Sequence, residues 1–255
     1  MKNFIKKIIK LFGYTILSKN DWQKKNENYI AEASNEDLAM LNTIKDYTMT
    51  SVSAQWSLIQ SIKHIIRNNI EGDFVECGIF RGGNIIIMSQ LLEKYKLEKN
   101  IYAYDTFEGM PLPGKEDIDL RGNSSIDKFL QFKNNQNEGS QWCYCDINDV
   151  KNNIHKFNKE YLKKIFFIKG RVEETLQDMK NLPKKISLLR LDTDFYSSTK
   201  TELNILYPLL QKKGVLIIDD YGHFKGAKKA VDEFFDINKI WLHRVDYSTR
   251  IYIKD

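Results

Sequence analysis

Five short apolar runs, each ending at a glycine or an acid, constrain this chain more than any other feature of its sequence. They cover residues 74–77, 101–104, 165–168, 186–191 and 214–218, and the polar residues at their ends are Glu76, Asp105, Gly170, Asp192 and the pair Asp219 and Asp220. Runs of this length, bounded by turn residues, read as buried strands. Between them apolar residues recur at helical spacing over 51–69 (Val52, Trp56, Ile59, Ile62 and Ile66, with Thr50 or Ser51 as cap), 84–96, 172–180, 198–211 and 226–235. Strand and helix in alternation give an α/β fold, a mostly parallel sheet with helices on both faces. The tail, 241–253, alternates as a closing antiparallel hairpin. Ligands of such sheets bind outside the carboxyl ends of the strands, so the strand-ending residues are expected to converge on one crevice.

Residues 110–160 are polar and irregular, with a helix expected over about 124–135, and read as an insert or lid. With only four prolines and no Gly/Ser-rich linker, the chain divides into an N-terminal extension, 1–45, and one domain, 46–255.

Charge is unevenly placed. Residues 1–25 hold seven lysines against Asp21 alone, a net of +6, which leaves −1 for the rest of a chain whose total is +5. A near-neutral body excludes a nucleic-acid-binding face. In the segment 4–12 (FIKKIIKLF) apolar residues share one helical face with lysines largely opposite, which suits either peripheral contact with an anionic membrane or packing on the body or a second subunit. No apolar run approaches the ~20 residues of a membrane-spanning helix, and no signal peptide is evident. Three cysteines, Cys77, Cys143 and Cys145, are too few for a disulfide framework and suit a reducing cytoplasm; the lone C-x-C lacks the second pair of a zinc site.

Three motifs carry chemistry. ECGIFRGGN supplies Glu76, Gly78, Arg81, Gly83 and Asn84. Its glycine spacing is wider than that of a pyrophosphate cradle and suits a cofactor with an amino-acid end, whose ammonium Glu76 would meet; the alternative is a plain strand-to-helix turn. Asp105, followed by Thr106, ends the second strand, where an acid accepts hydrogen bonds from ribose hydroxyls or merely caps a helix. Asp192-Thr193-Asp194 and Asp219-Asp220 bring acids to one small volume, which calls for a hard divalent cation. The alternative for these acids is ion pairing, with Arg190 the nearest candidate.

Together ECGIFRGGN, YDTFEGMPLP, LRLDTDFYSST and the run from LYPLLQKKGVLIIDDYG to DEFF resemble the macrocin O-methyltransferase (TylF) family, in the same order, over about residues 47–235. The resemblance implies a Rossmann-like class I fold, S-adenosylmethionine (SAM) as cofactor with Gly170 also in its pocket, Mg²⁺ or another divalent cation, a sugar-hydroxyl acceptor, and a homo-oligomer. On the family pattern Asp192, Asp219 and Asp220 hold the metal, with Asp194 nearby. The proton acceptor is expected among Asp192, Asp194 and His223, a carboxylate being preferred. The acceptor expected is a bacterial surface glycan, its nucleotide-sugar precursor, or a glycosylated natural product. A catechol-like acceptor and a non-catalytic SAM-fold subunit are the competing readings.

Overall fold

The computed structural model describes residues 9–11, 13, 30–133, 139–236 and 240–255. Residues 9–11 are helical; the rest of the expected amphipathic segment lies outside the described residues. The chain forms two compact units, residues 1–38 and 39–255. Helix α1, Asn35–Ile44, begins in the first. Ser34 and Asp37 cap its start reciprocally: Ser34 N donates to Asp37 Oδ2 at 3.0 Å and Asp37 N to Ser34 Oγ at 3.2 Å.

In the second unit, β1 (Asp73–Cys77), β2 (Ile101–Asp105), β3 (Ile165–Lys169), β4 (Ile186–Leu191), β5 (Leu210–Ile218), β6 (His243–Arg244) and β7 (Arg250–Ile253) form one sheet of order β3-β2-β1-β4-β5-β7-β6. The first five strands are parallel, β7 runs antiparallel to β5, and β6 pairs antiparallel with β7. This is the α/β fold with a terminal hairpin that the alternating pattern predicts.

Helices α2 (Val52–Arg67), α3 (Gly83–Lys94) and α5 (Ile147–Asn158) lie towards one face. Ser51 caps α2, accepting from Ala54 N at 3.0 Å. On the other face α7 (Tyr196–Leu206) and α8 (Lys225–Phe234) pack Leu203, Leu206 and Val231 against Val75, Cys77, Leu189, Leu191, Leu216 and Ile218. Successive strand side chains alternate between faces. The residues on either side of these, Glu76 on β1 and Arg190 on β4, therefore project to the opposite face, where the register pairs them directly.

Three elements differ from the sequence expectation. The helix expected over 172–180 is the single turn α6, Val172–Thr175, followed by a 3₁₀ turn that Asp178 caps by accepting from Lys180 N. The helix expected to run to 211 stops at Leu206, because Pro208 cannot continue it, and Leu210 already pairs with Ile186 in the sheet. The insert holds α4, Ser125–Phe132, as expected, and also α5, whose polar surface hid its few buried residues, Val150 and Ile154 among them.

Candidate active site

The cleft lies at the carboxyl end of the parallel strands. Gly78, Asp105, Thr106, Gly170, Asp192 and Asp194 all line it. Gly78 sits at φ +79°, and a Cβ there would stand 1.9 Å from the carbonyl oxygen of Asp192, so β1 and β4 approach each other as only glycine allows. Asp105 holds the turn closed from β2. Its Oδ2 accepts from Ile79 N at 2.8 Å and Phe80 N at 3.2 Å, and its Oδ1 from Phe107 N at 2.8 Å. Burial pushes its carboxyl up, against the pull of these amide donors.

Glu76 lies behind the turn, 1% exposed. Its Oε1 accepts from Asn84 Nδ2 at 3.0 Å and Arg190 Nη1 at 2.7 Å, while Oε2 is buried with no partner among the described residues. An orphaned carboxylate oxygen costs about 1–3 kcal/mol or more and fits an ammonium. Arg81 points elsewhere: it reaches the Asp46 carbonyl at 3.4 Å and lies over the Phe80 ring. Gly83 packs against Tyr47, accepting no side chain because a Cβ would meet the Tyr47 carbonyl oxygen at 2.8 Å.

The loops after β4 and β5 bring Asp192, Asp194 and Asp220 together, one carboxylate oxygen of each lying within 4.8 Å of the others. Asp194 adopts φ +68°, an uncommon backbone for a residue other than glycine, and donates its N–H to Asp220 Oδ2 at 3.2 Å. The chain turns sharply after Asp220, whose carbonyl accepts from both His223 N and Phe224 N at 3.0 Å. Gly222 permits that turn, since a Cβ would lie 1.8 Å from the Tyr247 carbonyl oxygen.

Burial and the neighbouring acids push all three carboxyls up, Asp194 to about 8. Among the described residues no lysine or arginine forms an ion pair with Asp194 or Asp220. An all-oxygen, under-neutralised donor set of this kind suits Mg²⁺, Mn²⁺ or Ca²⁺. Asp219 faces differently: its Oδ1 lies 3.1 Å from Arg190 Nη2 and accepts from Thr249 Oγ1 at 2.8 Å. Ion pairing and acid clustering, weighed as alternatives in the sequence, thus coexist, because Arg190 takes one oxygen of Asp192 and of Asp219.

His223 is half-buried, its ring against Phe224 and its Nδ1 3.3 Å from the Tyr247 hydroxyl, and burial lowers its pKa.

Two site residues escape sequence reasoning. Glu202 of α7 is fully buried and accepts from Thr193 Oγ1 at 2.9 Å, directly behind the acidic loop; burial pushes it up to about 8. Asp117 pins the insert: its Oδ1 accepts from Tyr196 N at 2.8 Å and its Oδ2 from Gly114 N at 2.7 Å. Neither stands out in sequence, since an acid in a helix or polar loop is ordinarily solvated.

This strand order, with a glycine turn after β1 and acids after β2, β4 and β5, is that of a class I SAM-dependent methyltransferase. The chain belongs to the macrocin O-methyltransferase (TylF) family, whose profile matches residues 7–254. It is 28% identical over 195 residues to demethyldecarbamoylnovobiocin O-methyltransferase of Streptomyces niveus, covering 75% of this chain and 70% of that protein. Over 189 residues it is 26% identical to 8-demethyl-8-(2,3-dimethoxy-alpha-L-rhamnosyl)-tetracenomycin-C 4'-O-methyltransferase of Streptomyces olivaceus, covering 74% and 67%. The solved structure of the O-methyltransferase NovP superposes with a TM-score of 0.67 at 27% identity, covering 82% of each chain.

Proposed function

We propose that this chain methylates a sugar hydroxyl, of a surface glycan, its nucleotide-sugar precursor or a glycosylated natural product, with the help of a divalent cation. The observation that supports the reading most is the cluster of Asp192, Asp194 and Asp220 beside the cleft that Gly78 and Asp105 line. Glu76, with its free Oε2, receives the cofactor ammonium, and the Asp105 side of the cleft takes the nucleoside. SAM supplies a sulfonium-bound methyl group, whose departure leaves a neutral sulfur and needs no acid.

Asp192, Asp219 and Asp220 are the residues that would hold the cation, Asp219 through the carboxylate oxygen that Arg190 does not meet, and the ion would template and acidify the acceptor hydroxyl. Asp194, whose carboxylate lies within 4.8 Å of those of Asp192 and Asp220, takes the hydroxyl proton. As the oxygen–methyl bond forms, the sulfur–methyl bond breaks, and the proton stays on the carboxylate. Orientation in the cleft contributes on the order of 7–11 kcal/mol in favourable cases. The +6 segment at residues 1–25 supports peripheral contact with an anionic membrane, which flotation with and without residues 1–22 would test. Among the described residues no helix is long and apolar enough to cross a membrane.

The test is transfer of labelled methyl from SAM to a panel of nucleotide sugars, glycosides and catechols. Labelling of sugars, abolished by EDTA and restored by Mg²⁺, is the expected result. Full transfer by metal-free enzyme overturns the role of the cation, and labelling of catechols alone overturns the sugar.

A further inference from the structure

Arg190 is the only buried cation in contact with both halves of the site among the described residues. It is 2% exposed and is the penultimate residue of β4. Its guanidinium meets three carboxylates, one on β1 and two in the loops after β4 and β5: Glu76 Oε1 at 2.7 Å, Asp192 Oδ2 at 2.7 Å and Asp219 Oδ1 at 3.1 Å. Alternation explains the grouping. Glu76 is opposite Arg190 in the β1–β4 register, Ile217 opposite it in the β4–β5 register, and Asp192 and Asp219 each follow two residues later on the same face. One positive charge is thereby divided between the acid on the cofactor side and two acids on the cation side.

We propose that Arg190 is a positioning residue that couples the cofactor site to the divalent-cation site, with negative sign. This rests on the cation reading given above. Nη1 donates to both Glu76 and Asp192, while Nη2 lies 3.1 Å from Asp219 without a hydrogen bond among the described residues, so a small turn of the rigid guanidinium trades contact with one acid for closer contact with the others. An ammonium arriving at Glu76 supplies that acid with a new partner. Arg190 then bonds Asp192 and Asp219 more closely, and both become poorer ligands. A cation arriving at Asp192 and Asp219 shifts Arg190 the other way, and Glu76 becomes a poorer acceptor. Each ligand is accordingly held less tightly in the ternary complex than alone, which favours release after turnover.

The test uses the full chain, with S-adenosylhomocysteine (SAH) as cofactor probe, because it keeps the ammonium without the sulfonium, and Mn²⁺ alone as cation probe. Mn²⁺ affinity is measured by calorimetry and by paramagnetic resonance of the free ion, with and without saturating SAH. Saturation is expected to weaken Mn²⁺ about fivefold or more, and Mn²⁺ to weaken SAH by the same factor.

In Arg190→Met the coupling should fall to within about twofold, and in Arg190→Lys, whose point charge cannot span three acids, it should be reduced while the fold is kept. A merely structural arginine would change each affinity without changing their ratio. Coupling that persists undiminished in both variants would show direct repulsion between the two ligands and overturn the proposal. Wild-type protein that binds Mn²⁺ without coupling overturns it too, yet leaves the cation reading standing. Failure of wild-type protein to bind Mn²⁺ removes both.

Discussion

The backbone N–H of Asp194 donates to Oδ2 of Asp220 across 3.2 Å, joining the loop after β4 to the loop after β5. The bond holds Asp194 in its left-handed conformation, φ +68°, and sets its carboxylate against those of Asp192 and Asp220. Asp194→Asn keeps the amide donor and the shape but removes the proton acceptor. Its kcat is expected to fall about 10²–10⁴-fold while SAH affinity by calorimetry changes little. A variant of near-normal kcat would transfer the role to His223 or Asp192.

Glu202 makes the protein sensitive to pH through its folded state. Burial raises it from 4.5 to about 8. Below the unfolded value both states keep the proton and the stability contribution is fully present. Between about 4.5 and about 8 the unfolded chain ionises first and binds fewer protons, so stability falls as pH rises. Urea denaturation of metal-free protein across this range should show the decline, and Glu202→Gln should flatten it, by on the order of a few kcal/mol at the alkaline end.

Gly78 tests the close approach of β1 to β4. A Cβ at this position meets a backbone oxygen at 1.9 Å and sits at positive φ, so no rotamer change relieves it. Gly78→Ala is expected to lower stability by roughly 2 kcal/mol or more and to abolish SAH binding. Unchanged denaturation midpoint and SAH affinity would mean that the turn is not held as described.

Asp105 closes the cofactor turn by accepting from three backbone amides. Asp105→Ala strands the amides of Ile79 and Phe80, and SAH affinity is expected to drop at least about tenfold. Calorimetry should also show Asp105→Asn to be milder, since an amide oxygen still accepts.

Asp117 is the latch between the insert and α7. In Asp117→Ala the amides of Tyr196 and Gly114 lose their acceptor, at about 1–3 kcal/mol for each group left buried. Hydrogen exchange should quicken over residues 110–125 ahead of the sheet, and KM for the acceptor should rise more than KM for SAM.

The sequence by itself determined the strands, their order of appearance and the placing of the acids at their carboxyl ends, because apolar runs and strand-ending residues are local signals. It offered two candidate partners for the acids, a divalent cation and Arg190, and favoured the cation. Tertiary structure decided the rest. Whether Arg190 reaches Glu76, Asp192 and Asp219 depends on register across three strands, which is fixed by the packing of the whole sheet. Glu202 and Asp117 acquire their roles only when folding takes them out of water and aims them at amide or hydroxyl donors far away in the chain. Even the shortened helix after β3 follows this logic: residues 172–180 have helical spacing, but the capped turn at Asp178 and the route back to β4 end it after one turn. Local pattern determines what a segment can be, and long-range contact determines which charges it must answer.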